Sequence, residues 1–296
     1  MIYIIHPDME LWDFMLEGIK DRKDVKEFSL DRYTNFFHHI CRNYLRNIIL
    51  PKSFLLGRTL RLELKKSHDG DSVIISAYTS PNLYHAIKKS VSDKVSVNLW
   101  MWNPVKSNPI FESSIGKLRE MGISLHTFDK KDASNYEMEF HNSFYRMNIA
   151  KENIKNVSDF YFLGAQKNRG TEINEIINLL KPFRSLFITP FEQGDFISYK
   201  DNLRHIQETK CIVEILQKNQ HDMTLRPLEA LAFKKKLLTN NPNIEQYSFY
   251  NSNNIFILGK DDPSMLEEFI EKPYIDIDQD IIKQFDINTW INSFTN

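Results

Sequence analysis

Only two cysteines occur among the 296 residues, Cys41 and Cys211, and they lie far apart in sequence. A disulfide framework and paired-cysteine metal spacing are thereby excluded, which fits a reducing, cytoplasmic setting. Cys211 opens an apolar run and reads as a buried thiol. No run of about 18 apolar residues is present, so no segment is expected to span a membrane. The opening Met1-Ile2-Tyr3-Ile4-Ile5-His6-Pro7 is too short for a signal peptide and lacks its basic lead; it reads as a first parallel strand. An excess of one charge is missing too, since 38 Lys and Arg stand against 39 Asp and Glu, a formal net charge of −1. With no global positive field to collect phosphate backbones, general nucleic-acid binding is excluded. There is no P-loop, no dinucleotide glycine fingerprint and no His-Glu-x-x-His zinc helix.

What is present is a globular composition, 42% hydrophobic and 26% charged, on a chain long enough for two domains with separate cores. Strand-like runs at 2–5, 72–77, 96–102 and 124–128 alternate with helical periods near 9–20, 33–49, 81–90 and 110–121. An irregular connector covers 133–156. A second alternation follows, with strands at 160–163, 185–188, 211–216 and 236–239 and helices at 170–181, 200–208 and 226–236. This is the pattern of an α/β protein with two Rossmann-like halves. It predicts domains at 1–152 and 153–296, the second ending in a helix over 287–294. Ligands of open parallel sheets bind beyond the carboxyl ends of strands. The loops after Ile5, Ala77, Trp102, Phe128, Leu163, Ile188, Leu216 and Thr239 therefore hold the candidates.

The richest stretch is 197–241. Its second helix opens at Thr224-Leu225-Arg226-Pro227, with Pro where a first turn tolerates it. Free N–H groups at a helix start attract anions; Arg226 beside them suits a phosphate, and Glu229 suits sugar hydroxyls. The same two residues also fit a local (i, i+3) ion pair on a surface helix. Gln217 and His221 precede this helix in a polar loop and face either a donor group or solvent. After Leu163, the turn Gly164-Ala165-Gln166-Lys167-Asn168-Arg169 leads into an amphipathic helix. It reads as a pyrophosphate cradle or as a solvated turn. Tyr199 follows Ser198 at another helix start, either near a nucleotide or simply in a capped turn.

The spaced letters Gln217, Thr224, Arg226, Glu229, Ala230, Leu231, Lys235, Lys236, Leu237, Leu238, Thr239 and Asn240, together with Asp159-Phe160-Tyr161-Phe162-Leu163-Gly164 and Lys167, Asn168 and Arg169, resemble the donor half of bacterial GT-B-type glycosyltransferases. The likeness is to small enzymes of lipopolysaccharide and capsule assembly and covers roughly residues 155–260. It implies two Rossmann-like domains facing across a cleft (GT-B), the first on the acceptor side and the second binding a nucleotide sugar. It implies a UDP- or dTDP-linked donor as co-substrate, no other cofactor, no metal, and a glycan or lipid-linked acceptor. Lys167, Arg169, Tyr199, Gln217, His221, Thr224, Arg226 and Glu229 become the donor-binding candidates, with Glu229 on the ribose. Many retaining members carry a further glutamate upstream of this helix; here that position falls near His221 or Asp222, and the stereochemical outcome stays open.

An inverting transferase needs a general base for the acceptor hydroxyl. His6 and Asp8, after the first strand, and Asp129, after Phe128, are the candidates; each also fits an ordinary structural role. Trp100 and Trp102 share one side of a strand, placed to stack on sugar faces or to pack beneath a helix. Asp276-Ile277-Asp278 has the Asp-x-Asp spacing that holds a metal in GT-A transferases, but close to the C-terminus it reads as helix capping. The helix over 35–50 carries Phe36, Phe37, Ile40 and Tyr44 beside Arg42 and Arg46. It fits either a core face or peripheral contact with an anionic inner membrane leaflet.

Overall fold

The structure, a computed structural model, describes residues 1–30, 56–76, 81–150, 154–190, 197–217 and 223–295. The helix expected over 35–50, the loop after residue 76 and the candidate His221 lie outside the described residues. Two compact units emerge: Met1–Asn142 with Asn288–Asn296, and Ser143–Ile287. No helix among the described residues is long and apolar enough to cross a membrane.

The first unit holds β1 (Ile2–His6), α1 (Glu10–Leu16), β2 (Val25–Ser29), α2 (Arg58–Leu64), β3 (Ser72–Ile75), α3 (Pro81–Lys88) and β4 (Ser96–Met101). There follow α4 (Pro109–Glu112), α5 (Ile115–Glu120), β5 (Ser124–Thr127), α6 (Lys130–Asn135) and β6 (Glu139–Phe140). The sheet order is β2-β1-β3-β4-β5-β6, and every pairing is parallel. β1 and β3 are buried along their whole length, as strands covered on both faces must be, and this explains their unbroken apolar sequences. β2 and β6 were not visible in the pattern. Val25–Ser29 carries Lys and Glu at a sheet edge, and Glu139–Phe140 is two exposed residues long. The helix expected over 110–121 is interrupted because Ser113 and Ser114 both turn their hydroxyls back to Ile110 O, at 3.0 and 2.7 Å, competing with the backbone ladder.

The second unit holds β7 (Ser158–Leu163), α7 (Gly170–Leu179), β8 (Ser185–Ile188), α8 (Tyr199–Gln207), β9 (Thr209–Glu214), α9 (Leu225–Ala232) and β10 (Lys236–Thr239). β11 (Ile255–Ile257), α10 (Leu266–Glu271) and α11 (Gln279–Lys283) complete it. Its sheet order is β11-β10-β9-β7-β8, again with parallel pairs only. Alternation divides the strands between two faces. Phe160, Phe162, Cys211, Val213 and Leu238 pack with Ile173 and Ile176 of α7 and Phe269 of α10. Tyr161 points to the opposite face, toward α8, where its hydroxyl donates to Asn202 Oδ1 at 3.0 Å.

The last helix, α12 (Ile287–Asn292), leads back to the first unit, whereas a division at residue 152 keeps it with the second. Aromatic packing is the cause: Trp290 lies 6.3 Å from Trp12 and 5.7 Å from Trp100.

Candidate functional site

In the second sheet the chain leaves β7 toward β8 on one side, and leaves β9 toward β10 on the other. Strand order reverses between β7 and β9, and helices departing on opposite faces open a crevice at those carboxyl ends. Two guanidiniums lie across it. Arg169, which follows β7, donates through Nη1 to Ile215 O just past β9, and through Nε to Ala165 O at 3.1 Å. Arg226, which follows β9, donates through Nη2 to Leu163 O at the end of β7, at 3.2 Å. The two side chains thus cross, each reaching the strand that the other follows.

Arg169 also sits 5.4 Å above the Phe162 ring, a favourable cation–π placement. Its path is open because residue 164 is glycine: a Cβ there would overlap Arg169 Nη2. Burial, then the charge of Arg226, pull the Arg169 pKa below its usual value, though a guanidinium stays cationic in proteins. Among the described residues no carboxylate stands within ion-pair distance of it. Two adjacent cations, one with no carboxylate in ion-pair range among the described residues and with the Glu214 charge acting on both from further off, are a site that an anion stabilises.

Behind Arg226 a polar network holds it in place. Its Nη1 pairs with Glu229 Oε2, three residues along α9. Glu229 Oε1 accepts from Tyr199 OH and Asn202 Nδ2, both at 3.1 Å, and Tyr145 OH lies 2.7 Å from Tyr199 OH. Burial, followed by the Glu229 charge, pushes both tyrosines well above their usual pKa. Burial likewise opposes the charge on Arg226, but the Glu229 carboxylate outweighs it and the pKa is raised.

Glu229 is 0% exposed with both carboxylate oxygens occupied, so it has no free edge for a ribose, nor is it a surface ion pair. The Tyr199 hydroxyl is likewise spent on the protein. Both position Arg226. Thr224 caps α9 by accepting from Arg226 N at 3.2 Å and donates to Glu214. Lys167 stays exposed in the β7–α7 turn, with φ of 41°, and Gln217 stands half-buried just past β9. Both lie in loops at the same sheet edge as the arginines.

Tyr145, Tyr161, Asn202 and Glu214 were not singled out as site residues. Glu214 did carry a signal, a lone acid inside Cys-Ile-Val-Glu-Ile-Leu. It is buried, accepts from Thr239 Oγ1 at 2.5 Å and from Thr224, and burial raises its pKa. The tyrosines carry no such signal, because their hydroxyl partners come from distant elements.

In the first unit, strand order reverses between β1 and β3. A cavity of about 360 Å³ opens there, lined by Pro7, Trp12, Ser76, Trp100, Trp102 and others. Trp102 is half-buried at its edge, 5.6 Å from Trp12, while Trp100 is buried. Of the general-base candidates, His6 is 1% exposed, with Nδ1 2.9 Å from Pro7 O and Nε2 2.9 Å from Glu27 Oε2. Asp129 is buried and caps α6, accepting from Asp132 N at 2.8 Å. Both therefore have side-chain polar atoms engaged within the protein. Asp8 is the exposed one of the three. Asp276 pairs with Lys234, and Asp278 caps α11.

No family model matches this sequence, and no curated protein matches it. Among solved structures, the crystal structure of a GtfA/B complex is similar at 10% identity with a TM-score of 0.39. That match covers 80% of this chain and 53% of the other, so the chain spans about half its length. At this level the likeness assigns no residue role.

Proposed function

We propose that the protein is a GT-B-type glycosyltransferase that moves a sugar from a UDP- or dTDP-linked donor to a bacterial surface glycan such as lipopolysaccharide or capsule. The observation carrying this reading is the crossed pair of Arg169 and Arg226 at the β7–β9 reversal. A departing nucleoside diphosphate gathers negative charge in the transition state, and pre-placed cations lower that barrier without reorganising. Guanidiniums match phosphate oxygens in geometry as well as charge. Lys167, on the neighbouring turn, adds a third cation, Gln217 follows β9, and His221 comes four residues later in the sequence.

In this reading the two arginines take the place of a divalent metal, and no cofactor other than the nucleotide sugar is needed. The acceptor, a glycan or lipid-linked sugar, is handled by the first unit, where the half-buried Trp102 offers an apolar face for sugar C–H groups. Asp8 is the base if the reaction inverts. The enzyme works in the cytoplasm, in peripheral contact with the inner membrane leaflet that carries such acceptors.

Calorimetry with UDP and dTDP, followed by a panel of nucleotide sugars with NMR of any product linkage, tests the reading. Binding of a nucleoside diphosphate and sugar transfer without stimulation by added Mg²⁺ or Mn²⁺ is expected. Absence of binding to any nucleoside diphosphate removes it. Binding with neither transfer nor donor hydrolysis makes the protein a non-catalytic nucleotide-binding module.

A further inference from the structure

At the far edge of the first sheet, β5 and β6 pair in parallel with His126 opposite Glu139. The ladder continues one residue further, His141 N donating to Thr127 O at 3.0 Å. Side chains two apart on a strand share a face, so Glu139 and His141 come to the same side as His126. Their ligand-type atoms converge: His126 Nδ1 is 2.8 Å from His141 Nε2 and 3.5 Å from Glu139 Oε2, and His141 Nε2 is 3.9 Å from that oxygen. Tetrahedral zinc, with bonds of about 2.0–2.2 Å, sets its ligand atoms roughly 3.3 Å apart, and the three separations bracket that edge.

The surroundings prepare the His126 ring for such a role. Asn98 Nδ2 donates to Ser72 Oγ at 2.9 Å and to Val73 O at 3.3 Å, which leaves Asn98 Oδ1 as the acceptor facing His126 Nε2 at 3.0 Å. The ring proton then sits on Nε2, and Nδ1 presents its lone pair to the cluster. A partner fixing the tautomer from behind is the usual support of a metal-ligating histidine. Phe294 walls the site, its ring 4.8 Å from His126 and 4.7 Å from His141. Glu139 is 69% exposed at the side chain and leaves a route from solvent.

We propose that His126 Nδ1, His141 Nε2 and the Glu139 carboxylate bind one divalent transition-metal ion of the zinc class, with a fourth position for water. Two imidazoles and one carboxylate favour Zn²⁺, Ni²⁺ or Cu²⁺ over Mg²⁺ and Ca²⁺. The ion replaces the proton lying between the two rings. It ties the two-residue strand β6 to β5, closing the sheet edge beside the C-terminal segment that carries Phe294. All three ligands belong to the first unit, and this site does not depend on the donor reading.

The test titrates the full chain, stripped with EDTA and desalted, with ZnCl₂ in a calorimeter and by thermal melting. Stoichiometric binding with a raised Tm is expected, as is a visible-region absorption band when Co²⁺ is the probe. Glu139→Gln, at an exposed side chain, and His141→Gln should each weaken Zn²⁺ binding at least tenfold. Glu139→Gln should keep the metal-free Tm, which removes misfolding as an explanation of the loss. Absence of Zn²⁺ binding in the unsubstituted chain, or binding undiminished in both variants, overturns the proposal and leaves a His–His hydrogen bond.

Discussion

Arg226 and Glu229 form an ion pair across one turn of α9, the guanidinium half-buried and the carboxylate without access to solvent. Under the proposed function, Glu229 acts on the donor diphosphate through Arg226. Removing one partner of a fully buried pair costs about 3–5 kcal/mol, and the half-buried Arg226 recovers part of that from solvent, so Glu229→Ala should lower the urea midpoint by less than that full cost. UDP affinity should fall about tenfold, roughly 1.4 kcal/mol, because Arg226 loses its fixed rotamer. A double-mutant cycle separates positioning from direct contact. Arg226→Ala and the double variant should bind UDP equally weakly; a further loss in the double variant would indicate that Glu229 touches the nucleotide itself.

Gly164 and Arg169 are linked by space alone. A methyl group at 164 would overlap the guanidinium and lie 3.0 Å from Phe162 Cζ. Gly164→Ala should keep the far-UV spectrum and displace Arg169 from the carbonyl of Ile215. The expected result is UDP binding weakened about tenfold, the effect of losing one charge-assisted contact of roughly 1.5 kcal/mol. Unchanged affinity in a folded variant would take Arg169 out of the donor site.

Asp8→Asn tests the acceptor side. Loss of a general base typically costs about 10²–10⁴-fold in rate, with nucleotide binding untouched. Turnover should fall by that range while the UDP dissociation constant holds. Near-normal turnover would point to a retaining reaction, since His6 and Asp129 are already committed to other bonds.

Asp159, early in β7, receives Arg184 N and Nε at 3.1 Å and Nη2 at 2.8 Å. The Arg184 hydrogen bonds chiefly hold its pKa down to about 2, against an ordinary 3.8. A carboxylate depressed on folding contributes stability above its unfolded pKa and loses it as pH falls through the folded value. The contribution is thus full at neutral pH and fades between about pH 4 and pH 2. With the Arg184 side chain 60% exposed, its worth is about 1 kcal/mol. Asp159→Asn should melt lower than the unsubstituted chain at pH 7, and the gap should narrow as melts are taken toward pH 3. A gap independent of pH would assign the loss to packing.

The strand–helix alternation was legible in the residues because buried parallel strands need apolar runs, as over residues 2–5 and 160–163. Short edge strands such as Glu139–Phe140 escaped notice, since two residues make no pattern. Arg169 and Arg226 could be chosen as anion partners from their places beside turns and helix starts. Their crossing could not, because it depends on β7 and β9 being neighbours although β8 lies between them in the chain.

Hydrophobic period and turn chemistry are local, and by themselves they determined an α/β chain of two parallel-sheet halves with its candidate cations at strand ends. Partner choice is not local, and only the tertiary structure decided it. The fold buried Glu229 among Tyr199, Asn202 and Arg226, occupied both ring nitrogens of His6, and returned Trp290 to the first unit. It also brought His141 beside His126 across the β5–β6 register. Each outcome rests on strand order and register, which place residues far apart in sequence within hydrogen-bond distance.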